Sequence, residues 1–258
     1  MLNRELAEER RTKILEQLYR FGQVRTSHIS SRLGVSEVTI RNDLIVLERR
    51  GRLVRTHGGA MTSLDDAGAL TAFSARMTQQ REEKRRIAVA AAEMVVGDET
   101  VIFDAGTTTH HLAQLLPPVD KLTVLTPGLN IAQTLMDVEG VEVFVLGGRL
   151  HPTLLETVGS VPEMGLSDLP VHKVFLGARG IDDELDVIDI SLDLAQVKHR
   201  FAKMARQVVL LADSTKWHSS GEVKALALRD VDVVITDSGL STEDRRRVQD
   251  LGVTLVIA

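Results

Sequence analysis

The chain has 258 residues, no cysteine, 43% hydrophobic residues and a net charge of −5. That length holds one large domain, or a small one and a medium one, and the apolar content is enough to bury a sizeable core. Disulfides and thiolate chemistry are excluded, which suits a reducing cytoplasm. No apolar run approaches membrane-spanning length and MLNRELAEER lacks the apolar stretch of a secretory leader, so no membrane partner is expected.

The charge is unevenly spread. Residues 1–60 carry 12 lysines and arginines against 7 acidic residues, a net of +5, while the remainder carries 19 against 29, a net of −10. A basic head on an acidic body suggests that the head alone meets a polyanion.

Leu6, Ile14 and Leu18 recur near helical spacing in LAEERRTKILEQLYRF. They predict an amphipathic helix from about Arg4 to Phe21, closed by Gly22. VRTSHISSRLG predicts a second, short helix, with Thr26 or Ser27 as N-cap and Gly34 as its C-terminal turn. Only Val35 separates that glycine from Ser36, the N-cap expected for a third helix from Glu37 to about Arg50. Two helices joined by so tight a turn form a helix-turn-helix.

In the third helix Ile40, Leu44 and Leu47 make one buried stripe. Glu37, Thr39, Arg41 and Asn42 then lie on or beside the outer face, near the helix N-terminus, which is the part of a recognition helix that enters a major groove. Arginine spans two acceptors of a guanine and asparagine pairs with an adenine edge. Hydroxyls such as that of Ser36, with helix-end N–H groups, hold phosphates. GRLVRTHGGA then predicts a wing: a short strand at Leu53-Val54-Arg55 between Gly51 and Gly58-Gly59, with Arg52, Arg55 and His57 near the DNA backbone.

Arg10, Ile14 and Leu18, then SEVTIRNDL, then LERRGRLVRTHGGA resemble the DNA-binding domain of the DeoR family of bacterial transcriptional regulators, over residues 4–60. Asn42 stands where many members have a second arginine, a departure that bears on the preferred operator.

Residues 61–80 read as a connector between a DNA-binding domain at 1–60 and a larger domain at 81–258. In the latter, short apolar strands are predicted at 100–103, 122–125, 141–146, 173–177, 207–212, 231–236 and 253–257. Amphipathic helices fall between several of them, as in KRRIAVAAAEMV, THHLAQLL, LNIAQTLM, LAQVKHRFAKMA and STEDRRRVQDL. The alternation implies an α/β domain with a mainly parallel sheet, and ligands of such sheets bind beyond the carboxyl ends of the strands.

DAGTTTHHLA follows the first of those strands. Asp104 ends the strand, Gly106 makes the turn, and Thr107, Thr108 and Thr109 open a helix. Free N–H groups and three hydroxyls there suit an anion. It is not a Walker loop, since no GK[ST] follows. Other strand ends add TPGLN (126–130), Gly147-Gly148-Arg149, GARG (177–180) and ADSTKW (212–217), the last directing Asp213 and Lys216 toward the same crevice. TDSG (236–239) reads only as a helix entry.

This body resembles the effector domain of the DeoR family, which is similar to ribose-5-phosphate isomerase. The resemblance implies that DAGTTT, GG, GA-x-G-ID and D-S-x-K line a sugar-phosphate site. Gly106, Thr107, Thr108 and Thr109 would hold the phosphate, and Asp104, Gly180 and Lys216 would flank the sugar, with Gly147, Gly148 and Asp213 beside them. There are departures. ELDVIDIS places Asp186, Ile188 and Asp189 where many members have a glycine and a threonine pair, and TPGLN replaces a common TN-x-LN. The extra acid favours an amino or otherwise altered sugar.

Two function classes compete. An isomerase needs only a base and an acid beside a bound sugar, and Asp104, Asp213 and Lys216 can serve. Yet a helix-turn-helix is a burdensome attachment for an enzyme, fold similarity does not carry activity, and no GxSxG is present. His110 and His111 are adjacent, so on a helix they point about 100° apart. No carboxylate is suitably spaced, and neither a metal nor a cofactor is expected. The expected function is a cytoplasmic transcriptional regulator, a repressor of a carbohydrate-utilisation operon. It would bind double-stranded operator DNA as a dimer or tetramer under control of a phosphorylated sugar. The alternative is an isomerase-like enzyme with a DNA-binding head.

Overall fold

The computed structural model describes residues 2–21, 23–49, 53–56, 58–62, 73–151, 154–158, 170–219 and 223–258. The expected helix ends at Gly22 and Arg50, the wing residues Arg52 and His57, and most of the connector lie outside them. The chain divides into two compact units at Gln79/Gln80.

In the first unit α1 (Leu2–Phe21), α2 (Thr26–Leu33) and α3 (Glu37–Arg49) enclose one core. Ile14 and Leu18, Ile29, and Ile40, Leu44 and Leu47 supply it, each set at helical spacing. Gly34 ends α2 in the left-handed region, at φ 66°. Ser36 then caps α3, its Oγ accepting from the Thr39 N–H at 3.2 Å. Buried Asp43 of α3 accepts from Arg10 at 2.5 Å and Arg11 at 2.9 Å, and these two charge-assisted bonds lock α1 to α3.

Two details differ from expectation. Neither Thr26 nor Ser27 caps α2, because the helix starts at Thr26 directly after a strand, β1 (Gln23–Arg25). The wing is also more than one strand. β2 (Leu53–Thr56) turns back through β3 (Gly59–Thr62), which pairs antiparallel with both β2 and β1. Gly59 is required there, since a Cβ would lie 1.7 Å from the Val24 carbonyl oxygen.

The second unit is built on a parallel sheet. Its strands are β4 (Glu99–Phe103), β5 (Leu122–Thr126), β6 (Val141–Val145), β9 (Val171–Gly177), β12 (Ala205–Leu211), β14 (Val233–Thr236) and β15 (Thr254–Ile257). They match the seven predicted apolar runs, in the spatial order β15-β14-β12-β9-β4-β5-β6. Successive side chains point to opposite faces. Val101, Phe103, Val124, Phe175 and Ile235 pack with Ile87 of α4 (Arg81–Ala92), Leu112 of α5 (Thr107–Gln114) and Ile131 of α6 (Leu129–Leu135). Ile102, Val174, Leu176 and Leu210 pack with Val197 and Phe201 of α7 (Leu192–Met204), in a cluster that also takes in Val248 of α8 (Thr242–Asp250). Burial on both faces explains why the five inner strands read as continuous apolar runs, while the edge strands β6 and β15 are half-buried or exposed.

Smaller pieces decorate the sheet. β7 (Arg149–His151) and β8 (Glu156–Val158) form a hairpin. β10 (Gly180–Ile181), β11 (Asp186–Asp189) and β13 (Val223–Ala227) form a separate antiparallel sheet. GARG and ELDVIDIS, read without strands, thus contribute β10 and β11. In the main sheet β4 leads on toward β5 and β9 leads the other way toward β12, so the strand order reverses between β4 and β9. That is where a crevice opens at the carboxyl ends of parallel strands.

Candidate DNA-binding face and effector site

On α3, Val38, Arg41, Asn42 and Arg49 are exposed and Ile45 is half-buried, on the side opposite the core stripe. Ser36 and Thr39 are turned to the helix start, with their hydroxyl oxygens 2.9 Å apart. Glu37 accepts from Arg41 Nη2 at 2.8 Å across one turn. Both side chains remain substantially exposed, so the pair orders the guanidinium and leaves its other donors available. Arg55 is anchored as well. Its backbone N–H donates to Glu48 Oε1 at 3.0 Å, and its guanidinium lies 3.7 Å from Glu48 Oε2, which ties the wing to the end of α3.

At the β4–β9 reversal Asp104 is only 1% exposed. It accepts from the Gly177 N–H of β9 at 3.0 Å and from Lys198 Nζ of α7. Lys198 also lies 3.7 Å from Asp189 at the end of β11. Burial alone would lower the pKa of this ammonium. Asp104 and Asp189, joined by the charge of Glu156, outweigh that and hold it above the ordinary lysine value, so Lys198 stays charged. Lys198, Asp104, Asp189 and Glu156 are all buried.

Next to Asp104, Gly106 leads into α5. The first helical bond runs from the His110 N–H to the Gly106 carbonyl, at 3.0 Å, so the N–H groups of Thr107, Thr108 and Thr109 have no partner within the helix. Thr109 is fully buried and its hydroxyl donates to the Gly106 carbonyl at 3.1 Å. Asp213 follows β12, on the far side of β9. Its Oδ1 accepts from the Thr215 N–H and hydroxyl, while Oδ2 is buried without a hydrogen-bond partner among the described residues. Lys216 sits half-buried on the short turn Ser214–Lys216 that follows. Asp237, in the presumed helix entry after β14, clamps that turn. Burial pushes its carboxyl up, but the N–H groups of Ser214 and Gly239 and the Ser214 hydroxyl outweigh burial and hold it below its ordinary value.

Gly147 and Gly148 are exposed beyond β6, two strands from β4. They open the β7–β8 hairpin, where a Cβ on Gly148 would meet the Val158 carbonyl oxygen at 2.6 Å. The hairpin returns over the end of β5, with Leu129 N–H bonded to Leu155 O and Thr157 N–H to Pro127 O, both at 2.9 Å. Gly180 makes room for Ser219, whose Cβ would lie 2.4 Å from a Cβ at this position. Of the extra acids, Asp189 joins the Lys198 cluster, Asp186 pairs with Lys224 of β13 at 2.7 Å, and Ile188 is buried. Sequence reasoning missed Lys198 and Glu156. For Lys198 a signal existed: it lies at i+4 from Leu194, on the same stripe as Val197 and Phe201.

Sequence comparison decides the family. The model of the DeoR-like helix-turn-helix domain matches residues 10–64, and that of the DeoR C terminal sensor domain matches residues 79–238. The chain belongs to the DeoR family. Two of its relatives match over most of their length. The HTH-type transcriptional repressor GlcR of Bacillus subtilis (strain 168) is 35% identical, over 89% of this chain and 88% of that protein. The glycerol-3-phosphate regulon repressor of Escherichia coli (strain K12) is 30% identical, over 89% and 90%. Among solved structures, ribose 5-phosphate isomerase a from Methanocaldococcus jannaschii is similar at a TM-score of 0.39, with 14% identity over 54% of this chain and 55% of that one. As a DeoR-family member the chain is a DNA-binding transcriptional regulator with a sensor domain, and not an enzyme. Among the described residues no helix is long and apolar enough to cross a membrane.

Proposed function

We propose that this regulator is a cytoplasmic repressor of a carbohydrate-utilisation operon, and that a phosphorylated sugar bound at the β4–β9 reversal releases it from its operator. The head expected at 1–60 and extended by β3 to residue 62 reads DNA, the residues from there to 80 connect, and 81–258 sense the effector and assemble the oligomer. The observation that carries the effector assignment is the set of N–H groups at Thr107–Thr109, opening beside the buried Asp104–Lys198 pair. A helix start of this kind favours an anion, so the phosphate goes there. The sugar then lies toward Asp104, Gly180 and Lys216, with Gly147, Gly148 and Asp213 at its margins. The surplus of carboxylates around Lys198 favours a ligand rich in hydroxyl donors or bearing an amine. The names of the relatives, a repressor and a glycerol-3-phosphate regulon repressor, support repression relieved by a phosphorylated metabolite.

On the DNA side Arg41 and Asn42 face base edges. Ser36, Glu37 and Thr39 border the groove, and Arg52, Arg55 and His57 of the wing follow the backbone. Two or four chains assemble, so that paired heads meet repeated half-sites. Control requires an effector that prefers the DNA-incompetent state. A thermal-shift screen of sugar phosphates finds the ligand, because binding to the native state alone raises the melting temperature. Thr108→Ala and Lys216→Ala are then expected to keep operator binding and to blunt its release, by calorimetric titration and a DNA-release assay. Unchanged effector affinity in both variants overturns the site.

A further inference from the structure

We propose that Val38 reads the methyl group of an operator thymine, as a specificity-determining residue beside Arg41 and Asn42; this rests on the assignment of α3 as the element that enters the major groove.

Val38 is 62% exposed, on the first turn of α3. Single exposed apolar residues are common on protein surfaces and by themselves mean little. Its position is what distinguishes it. Val38, Arg41, Asn42 and Ile45 fall at i, i+3, i+4 and i+7, so they form one outward stripe, opposite the core stripe of Ile40, Leu44 and Leu47. Along the helix axis Val38 lies about 4.5 Å from Arg41 and about 6 Å from Asn42. A base-pair step is about 3.4 Å. Residues so spaced on a helix laid in a groove face neighbouring base pairs.

The chemistry then selects the partner. An isopropyl group can neither donate nor accept a hydrogen bond, and the apolar handle that a base presents in the major groove is the thymine C5-methyl. Valine is also a poor residue for a solvated helix surface, since it lowers helix propensity relative to alanine or the straight-chain polar residues. The same β-branching makes it stiff, with one strongly preferred χ1 in a helix, so little rotamer freedom is lost on contact. The neighbouring polar groups are already committed: the Ser36 and Thr39 hydroxyls face each other at the cap, and Glu37 braces Arg41. Val38 is therefore presented between an ordered guanidinium and a capped helix start. The stripe carries a cation and an amide and lies in the basic head of the chain, which points to DNA as the occupant of this face.

The test uses the full-length protein and the tightest duplex recovered by in vitro selection from random-sequence DNA. Each thymine is replaced in turn by deoxyuridine, which lacks only the methyl group. At one position per half-site this change is expected to weaken wild-type binding about fourfold, the worth of roughly one buried methyl group. Val38→Ala weakens binding to the thymine duplex by a similar factor, and in that variant the same deoxyuridine has no further effect. Equal losses in wild type and Val38→Ala at every thymine overturn the proposal. Failure of the wild type to enrich any sequence overturns it together with the assignment of α3. An unchanged melting temperature of Val38→Ala shows that the loss is one of contact and not of folding.

Discussion

Lys198→Met keeps an unbranched side chain only one atom shorter and removes its charge, so it isolates most of what the buried cation contributes. In the native unit Lys198 stands against Asp104, 3.7 Å from Asp189 and within the influence of Glu156, all buried. Removing one partner of a buried ion pair costs about 3–5 kcal/mol. The chain relieves the uncompensated carboxylate by protonating it, and Asp104, whose pKa burial already holds above its ordinary value, is the group that takes the proton. The variant should therefore lose about 4 kcal/mol, or roughly 8–16 °C of melting temperature for a domain of this size. The pH dependence has a definite sign. Burial already holds the Asp104 pKa above its ordinary value despite Lys198, and removing Lys198 pushes it higher, so stability lost at neutral pH is regained as the pH falls through the folded value. Adding Asp104→Asn should recover part of the loss. Circular-dichroism melts at about pH 7 and pH 5 decide the matter. A Lys198→Met variant that melts within about 2 °C of wild type at neutral pH, or whose deficit is the same at both, refutes the argument.

Four further outcomes are expected. Arg41→Ala should weaken operator-specific binding by about 1–3 kcal/mol. Arg55→Ala should weaken all DNA alike and flatten the salt dependence. Fluorescence anisotropy over a salt series separates the two, and unchanged curves for both, with circular dichroism intact, remove the recognition-helix assignment. Gly59→Ala should destabilise the winged helix by more than about 2 kcal/mol, because its Cβ has no room beside the Val24 carbonyl; a wild-type melt of the first unit would count against the β1–β3 pairing. His218 bonds Asp183 at 2.6 Å and Asp244 at 3.0 Å, and these bonds, that to Asp183 first, raise its pKa above 6.5. Its stabilising effect is complete below 6.5 and is lost as pH rises through the folded value. His218→Ala should thus lower the melting temperature slightly in mild acid and leave it unchanged in alkali; a deficit independent of pH removes the link. The effect is small because the imidazole is more than half exposed.

The parallel sheet was legible because its inner strands are buried on both faces and so read as runs such as VVLL or VVIT. The wing was half legible. Leu53-Val54-Arg55 carries strand character, whereas the pairing of Gln23–Arg25 with Gly59–Thr62 needs the close approach at Gly59, which no local propensity announces. The β10–β11 pair was hidden for a related reason, being two to four residues long and rich in acid and glycine. Around the effector site, the strand-end motif at Asp104–Thr109 was visible as a turn from strand to helix. Lys198 passed as one more charge on an amphipathic helix, although its place on the buried stripe of Leu194, Val197 and Phe201 contradicts a solvated role. Glu156 gave no signal, since its burial depends on β8 folding back over Pro127 and Gly128.

The place of β9 between β4 and β12 has a consequence for synthesis. β4, β5 and β6 are made early and pair in sequence, but the other edge of β4 meets its partner only when Val101 finds Lys173, about 70 residues later. At 5–20 residues per second that edge stays open for roughly 4–14 seconds on the ribosome. An unpaired strand as apolar as TVIF is a template for another chain. Translation of the segment from Asp104 to Val171 is therefore the interval in which neighbouring nascent chains on one messenger are most exposed to cross-pairing, and in which a chaperone has most to protect.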